Sequence, residues 1–251
     1  MATQQQHTAG TGTDMELPTP QASVPRTPSQ PAPPAEGAQT PVARTSIRLY
    51  RGSRLRRLIK PLAVRLISTL WVAWLKLRMG NRVQFGRNFV TNHRLLIKGP
   101  GRVIFGDNVN TWSHAEKTVL ITYAPEAVII VGDNVRMSGA GLQAYRRISI
   151  GPRCMVGSTI MMDTDFHNPD PVLRHDPDAP VPCAPITLEE NVWVAGQSAV
   201  LKGVTIGRNS VVAFRAVVTK DVPPNVVVAG NPARIVKYLQ SEESEKGTTK
   251  R

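Results

Sequence analysis

At 251 residues with 41% hydrophobic content, the chain is long enough to bury one substantial core and still carry tails. Its formal charge of +13 suggests a polyanionic partner until it is mapped: 15 Lys or Arg and no Asp or Glu fall between Gly37 and Gly106, and the remainder is slightly acidic. Aromatics at only 5% argue weakly against stacking platforms for bases, and with no matching motif no nucleic-acid partner is expected.

Residues 1–42 are dominated by Thr, Pro, Gln, Ala and Ser without periodicity, which predicts a disordered tail; it lacks the basic-then-apolar pattern of a secretory leader. Residues 43–79 form a basic segment in which Leu55, Leu58, Ile59, Leu62, Leu66, Ile67, Leu70, Trp71, Trp74 and Leu75 recur at a spacing of three or four. That spacing is one face of a helix. Arg54, Arg56, Arg57, Lys60, Arg65, Lys76 and Arg78 flank it, and Pro61 is expected to kink it or to divide it in two. Arg65 interrupts the apolar run, so a membrane span is not expected. Two readings stay open: an amphipathic helix lying in the headgroup layer of an anionic membrane, or a helix packed on the neighbouring domain or at a subunit contact.

Residues 80–223 carry a repeat. Leu188, Val194, Val200, Ile206, Val212 and Val218 stand six apart, and the fifth position of each hexad reads Val192, Ser198, Val204, Ser210, Ala216 and Val222, all small or β-branched. On a helix six residues turn a side chain by about 240°, scattering the aliphatics around the axis. On a strand they share one side, because six is a multiple of two. Hexad repeats build parallel β-helices in which three hexads close one coil. The phrase of apolar residue, glycine and polar turn formers recurs upstream at Phe85-Gly-Arg-Asn, Phe105-Gly-Asp-Asn, Val131-Gly-Asp-Asn and Ile150-Gly-Pro-Arg. Those starts are unevenly separated, so the early coils should carry insertions. The stretch 163–185, rich in Pro and Asp, is predicted as a loop thrown out of the coil.

Pro223-Pro224 are expected to stop the last coil. Residues 224–239 then read as a turn and a short helix from Ala233 to Leu239, with Arg234 and Lys237 one turn apart on one face, and 240–251 as a flexible tail. Cys154 and Cys183 have no metal-type spacing and read as buried or incidental thiols in a reducing cytoplasm.

The hexads, the His-bearing Met162-Asp-Thr-Asp-Phe-His-Asn-Pro-Asp, Val192-Trp-Val-Ala-Gly, Val218-Thr-Lys-Asp-Val-Pro-Pro-Asn and Gly230-Asn-Pro-Ala-Arg occur in this order over residues 80–239. Together they resemble the hexapeptide-repeat acetyltransferases, nearest to the maltose, galactoside and polysaccharide O-acetyltransferases. The resemblance implies an all-β, left-handed parallel β-helix, to which the N-terminal basic helix and short C-terminal helix are added. It also implies a homotrimer with acetyl-coenzyme A as cosubstrate in a groove between coils, no metal, and a sugar or glycan-precursor acceptor. The expected location is the cytoplasm, with the basic helix suggesting peripheral contact with an anionic inner-membrane surface.

Residue by residue, the resemblance implies His167 as general base toward the acceptor hydroxyl. An alcohol attacks a thioester only as its proton leaves, and imidazole changes charge near neutral pH. Asp163 or Asp165 would orient its other nitrogen. Gly196 would contact the cofactor through its main chain, where relatives often carry Ser. Phe214, Thr219 and Lys220 would line the pantetheine and adenosine path, although relatives usually have a small residue in place of Phe214. Arg234 and Lys237 would meet the coenzyme's phosphates. Trp193 would wall the acceptor pocket and Ser138 would touch the acceptor. Three rivals share the coil: an N-acyltransferase using the same base on an amino sugar, a non-enzymatic trimeric scaffold at a membrane surface, and a zinc hydratase. The last needs three histidines, and His7, His93, His114, His167 and His175 lack the paired spacing.

Overall fold

Leu188, Val194, Val200, Ile206, Val212 and Val218 are each at most 1% exposed. They stack one hexad triplet apart, Leu188 beside Ile206, Val194 beside Val212 and Val200 beside Val218, so three hexads make one turn. The computed structural model describes residues 54–240; the tail expected at 1–42 and, beyond its first residue, the one expected at 240–251 lie outside the described residues. Three six-stranded sheets form the sides of a left-handed parallel β-helix. In chain order, the first face holds Val83–Gln84, Arg102–Phe105, Val128–Val131, Arg147–Ile150, Ile186–Leu188 and Thr205–Ile206. The second holds Arg136–Met137, Met155–Val156, Trp193–Val194, Val211–Val212, Val226–Ala229 and Arg234–Tyr238, and the third Leu95–Lys98, Thr118–Thr122, Gly141–Ala144, Ile160–Met162, Ala199–Val200 and Val217–Val218. Alternate side chains point inward and form one continuous aliphatic core.

The corner between the first and second faces is built the same way in every coil. A fixed four-residue step links Phe105 to Val109, Val131 to Val135, Ile150 to Cys154, Leu188 to Val192, Ile206 to Ser210 and Val222 to Val226, every one of them buried. The turn needs a left-handed residue, supplied by Asn88, Asn108, Asn134, Asn191, Asn209 and Asn225, with φ between 54° and 61°, and once by Arg153. Asn tolerates that region better than other L-residues. Its amides also join across coils, Asn88 to Asn108 at 3.0 Å and Asn191 to Asn209 at 2.9 Å. Glycine here answers crowding rather than φ: a methyl on Gly86 would strike the carbonyl of Gly106, and one on Gly207 would strike Pro223 and Pro224. Burial pushes the thiol of Cys154 up to about 11, so it stays protonated and inert near neutral pH.

Insertions fall at the other two corners, at 111–117 between the second and third faces and at 123–127 and 163–185 between the third and first. The early coils are uneven, and the chain leaves the coil between Met162 and Ile186. Two C-terminal expectations are corrected. Pro223-Pro224 do not end the coil, since Val222 bridges Ile206 and Val226–Ala229 adds another strand to the second face. Gly207 donates its N–H to Val222, whereas Pro223, one coil on, has no strand beyond it to serve, so the missing donor costs nothing. The segment expected as a helix from Ala233 is instead the strand Arg234–Tyr238, antiparallel to Val226–Ala229. An uncovered strand edge is a stronger template than the propensity of five residues.

At the other end, helix α1 (Arg54–Met79) covers the first coil, whose strands Val83–Gln84 and Leu95–Lys98 are the outermost of their sheets. Pro61 lies inside this one helix, which is not divided in two. Leu75 is 0% and Met79 5% exposed within the core, Ser68 Oγ donates to Thr91 O at 2.9 Å, and Trp71 Nε1 donates to Leu95 O at 3.0 Å. The reverse side keeps Leu62, Leu66, Leu70 and Leu77 at 62–87% exposure, with Ile67 and Trp74 beside them. No helix among the described residues is long and apolar enough to cross a membrane.

Candidate functional site

The ejected loop leaves the third face at Met162 and returns at Ile186, and its two legs are zipped together. Ala184 N bonds Asp163 O at 2.9 Å, Thr164 bridges Cys183, Asp165 N bonds Pro182 O at 3.1 Å, and Asn168 Nδ2 reaches Pro180 O at 2.8 Å. His167 sits within this stem with an exposed ring. Its neighbour Phe166 adopts φ 63°, unusual for a bulky side chain, and packs edge-on against Tyr123 with centroids 5.0 Å apart. The histidine is therefore held on a braced turn rather than a slack loop.

Asp163 and Asp165, either of which was expected to orient His167, both make other bonds. Asp163 is 0% exposed, and its carboxylate accepts the backbone N–H groups of Tyr145 at 2.6 Å and of Arg146 and Arg147 at 2.7 Å each. It closes the turn between the third and first faces one coil earlier. Asp165 instead pairs with Lys202 Nζ at 2.7 Å. Neither carboxylate bonds the imidazole, whose ring has no hydrogen-bond partner among the described residues.

The other sequence-predicted residues fall into two groups on either side of the third face. On its first-face edge stand the His167 stem, the Lys202–Asp165 pair and, one coil further on, the exposed Thr219 and Lys220. On its second-face edge stand Ser138, Gly196 and Phe214, with Trp193 on the adjoining strand at 48% exposure. Gly196 and Lys202 are six residues apart in the chain, on either side of the strand Ala199–Val200, roughly 15–20 Å of extended backbone, so one chain does not bring the two groups together.

Gly196 closely faces Ser158 of the coil beneath: an added Cβ would lie 3.1 Å from the Ser158 hydroxyl. A serine hydroxyl therefore stands at this position after all, supplied from the neighbouring coil. The Gly196 N–H donates to no backbone acceptor among the described residues. Phe214 is 57% exposed and lies under the Arg215 guanidinium at 5.3 Å, which is steered by Gln197 Oε1 at 2.8 Å.

Arg234 and Lys237 should lie on opposite sides of a strand, being three apart. A bulge restores them to one side: Arg234 pairs with Ala229 and Lys237 with Val227, leaving Val236 as the extra residue. The cations share a face as expected, for a reason unrelated to helix periodicity. Sequence reasoning passed over Ser158, Lys202, Arg215, Trp112 and Arg136. Only the register of the stacked coils shows them to be neighbours of the predicted residues.

No family model matches the sequence. The Escherichia coli galactoside O-acetyltransferase is 27% identical over 164 residues, 65% of this chain and 58% of that protein. A Saccharomyces cerevisiae protein named as an acetyltransferase is 43% identical over 60 residues, 24% of this chain and 31% of its own. The chain thus spans less than two thirds of either curated relative. Among solved structures, a point mutant of AntD, an N-acyltransferase from Bacillus cereus in complex with dTDP and coenzyme A, superposes with TM-score 0.55 at 18% identity, covering 68% of this chain and 91% of that one. The chain shares this acyltransferase's fold. A hexapeptide-repeat acetyltransferase from Vibrio cholerae complexed with acetyl-coenzyme A is 27% identical, with TM-score 0.46, over 74% of this chain and 88% of that one. In sequence the chain resembles acetyltransferases built on hexapeptide repeats.

Proposed function

We propose that this protein is an acetyl-coenzyme A dependent O-acetyltransferase that modifies a hydroxyl of a sugar or glycan precursor, with His167 as general base. The observation that carries the reading is the braced stem holding an exposed imidazole beside a hexad coil, on the same edge as Thr219 and Lys220. The imidazole accepts the hydroxyl proton as the oxygen attacks the thioester carbonyl, and returns it to the departing thiolate. The Gly196 N–H is a donor suited to the carbonyl oxygen as it gains charge. Phe214 flanks the pantetheine arm, and Arg234 and Lys237 meet phosphates. Because the two residue groups flank the third face of one chain, the site is completed in a homotrimer, where one protomer's stem edge meets the next protomer's Gly196 edge. The acetyl donor itself brings the activated thioester; every proton step belongs to the chain.

The experiment is turnover of labelled acetyl-coenzyme A against free sugars, sugar nucleotides and lipid-linked glycans. Label in an alkali-labile ester is the expected product. Alkali-stable label would favour the amine-acetylating alternative, which the likeness to the AntD fold keeps in view. Absence of transfer to every acceptor class would remove the enzyme reading.

The enzyme works in the cytoplasm, peripherally on an anionic membrane. The outward side of α1 supports this, with Leu62, Leu66, Leu70 and Leu77 forming an apolar ridge rimmed by Arg65, Lys76 and Arg78. Both readings of the helix left open by the sequence then apply, one to each of its sides. Leu66→Glu with Leu70→Glu should abolish co-flotation with vesicles containing phosphatidylglycerol while leaving acetyl-coenzyme A binding in place. Flotation of the double variant at the wild-type level would refute the lipid contact, and a change of oligomeric state instead would assign the ridge to a second copy.

A further inference from the structure

On the outer side of the second face, Asn110, Arg136, Met155 and Trp193 follow one another on successive coils, because Asn110 bridges Arg136, Arg136 pairs with Met155 and Met155 with Trp193. Parallel strands stack about 4.8 Å apart, so Arg136 and Trp193 stand about 10 Å from one another with the Met155 thioether between them. Trp112 closes one flank; its backbone N–H donates to Asn110 Oδ1 at 2.9 Å. Ser138 closes the edge nearest the third face. These side chains line a groove of about 330 Å³.

Its chemistry is uneven. Two indoles and a thioether supply broad apolar walls suited to the C–H faces of a pyranose, and Trp193 and Met155 remain 48% and 45% exposed among the described residues. No Asp or Glu lines the groove, and the exposed Arg136 guanidinium makes no ion pair among the described residues, although Arg87, Arg153 and Lys202 each do. A guanidinium presents its donors as a planar fork that matches a carboxylate or a phosphate and leaves a neutral hydroxyl poorly used. The backbone positions that carry them are two strand spacings apart, roughly the span of one sugar ring with its substituents.

We infer that this groove binds an anionic sugar, with the ring against Trp193 and Trp112 and its carboxylate or phosphate on Arg136. The inference rests on the acyl-transfer reading, in which Trp193 and Ser138 belong to the acceptor pocket, and narrows the acceptor to charged sugars. Arg136 is then the residue that sets specificity, while His167 performs the proton transfer.

The test uses pairs of ligands differing in charge, with binding to the full-length protein measured by calorimetry in the presence of coenzyme A. p-Nitrophenyl glucuronide against p-nitrophenyl glucoside isolates the carboxylate, and glucose 1-phosphate against glucose isolates the phosphate. At least one anionic member should bind about tenfold or more tightly than its neutral partner, as expected for a hydrogen bond to a charged group. That ratio should fall to near one in Arg136→Ala and be partly kept in Arg136→Lys. Equal binding within both pairs, including no binding, or a preference that survives Arg136→Ala, would overturn the inference. An anionic preference without acetyl transfer to any acceptor would leave the groove standing and remove the enzyme reading instead.

Discussion

Acetyl transfer by His167→Ala should fall more than about 100-fold while the affinity for acetyl-coenzyme A stays close to that of the unaltered protein. The asymmetry follows from the stem. Its legs are joined by backbone bonds at Ala184–Asp163 and Asp165–Pro182, and the Tyr123–Phe166 contact braces the stem against the neighbouring insertion; none of these involves the imidazole. Removing the ring therefore takes away the proton acceptor without loosening the turn that carries it. Single-turnover kinetics with labelled acetyl-coenzyme A, beside equilibrium binding of coenzyme A, separate the two quantities. Turnover within a few-fold of normal would show that His167 is a surface residue of the loop.

Asp163→Ala is expected to act on the other quantity, stability, lowering it by about 3–5 kcal/mol. The carboxylate is fully buried and is the acceptor for three consecutive backbone N–H groups, at Tyr145, Arg146 and Arg147. Truncation leaves three part-buried donors without their shared acceptor, and an unpaired donor costs up to about 1–3 kcal/mol where water does not replace the partner. Asp163→Asn keeps one carbonyl oxygen but turns an amide toward the same donors, so it should be nearly as damaging. Denaturant unfolding at fixed protein concentration measures the loss, since assembly would couple stability to concentration. Were Asp163 an orienting partner of His167, the Asn variant would instead unfold normally and turn over slowly. That pattern would restore the role the sequence suggested.

The coil was legible because its determinant is periodic. Leu188 through Val218 share one side of a strand, whereas on an α-helix a six-residue step would scatter them around the axis. The ejected loop was legible for the complementary reason: Pro and Asp between 163 and 185 cannot fill an aliphatic ladder. The C-terminal segment was misread because Ala233 to Leu239 has helical spacing of its cations, while its conformation is imposed by the open edge of Val226–Ala229, a constraint that spacing alone does not reveal. Asp163 was misread for a similar reason. A carboxylate four residues from a histidine suggests a pair, whereas its actual donors lie at 145–147 and come beside it only when one coil is laid on another. Arg136, Met155 and Trp193 are separated by 19 and then 38 residues, so the column they form is invisible until the register is known.

The unvarying corner between the first and second faces also governs where novelty can enter this molecule. Stacked glycines and a chain of asparagine amides leave that edge no slack, so any extra peptide has to be extruded along the two remaining edges, and both of these border the third face. Ornament and chemistry thus share an address by steric permission: the histidine stem and the Trp112 loop stand where the prism allows chain to escape. A lineage elaborating this scaffold would acquire new specificities around that one side, while the opposite ridge stayed as plain as a spine.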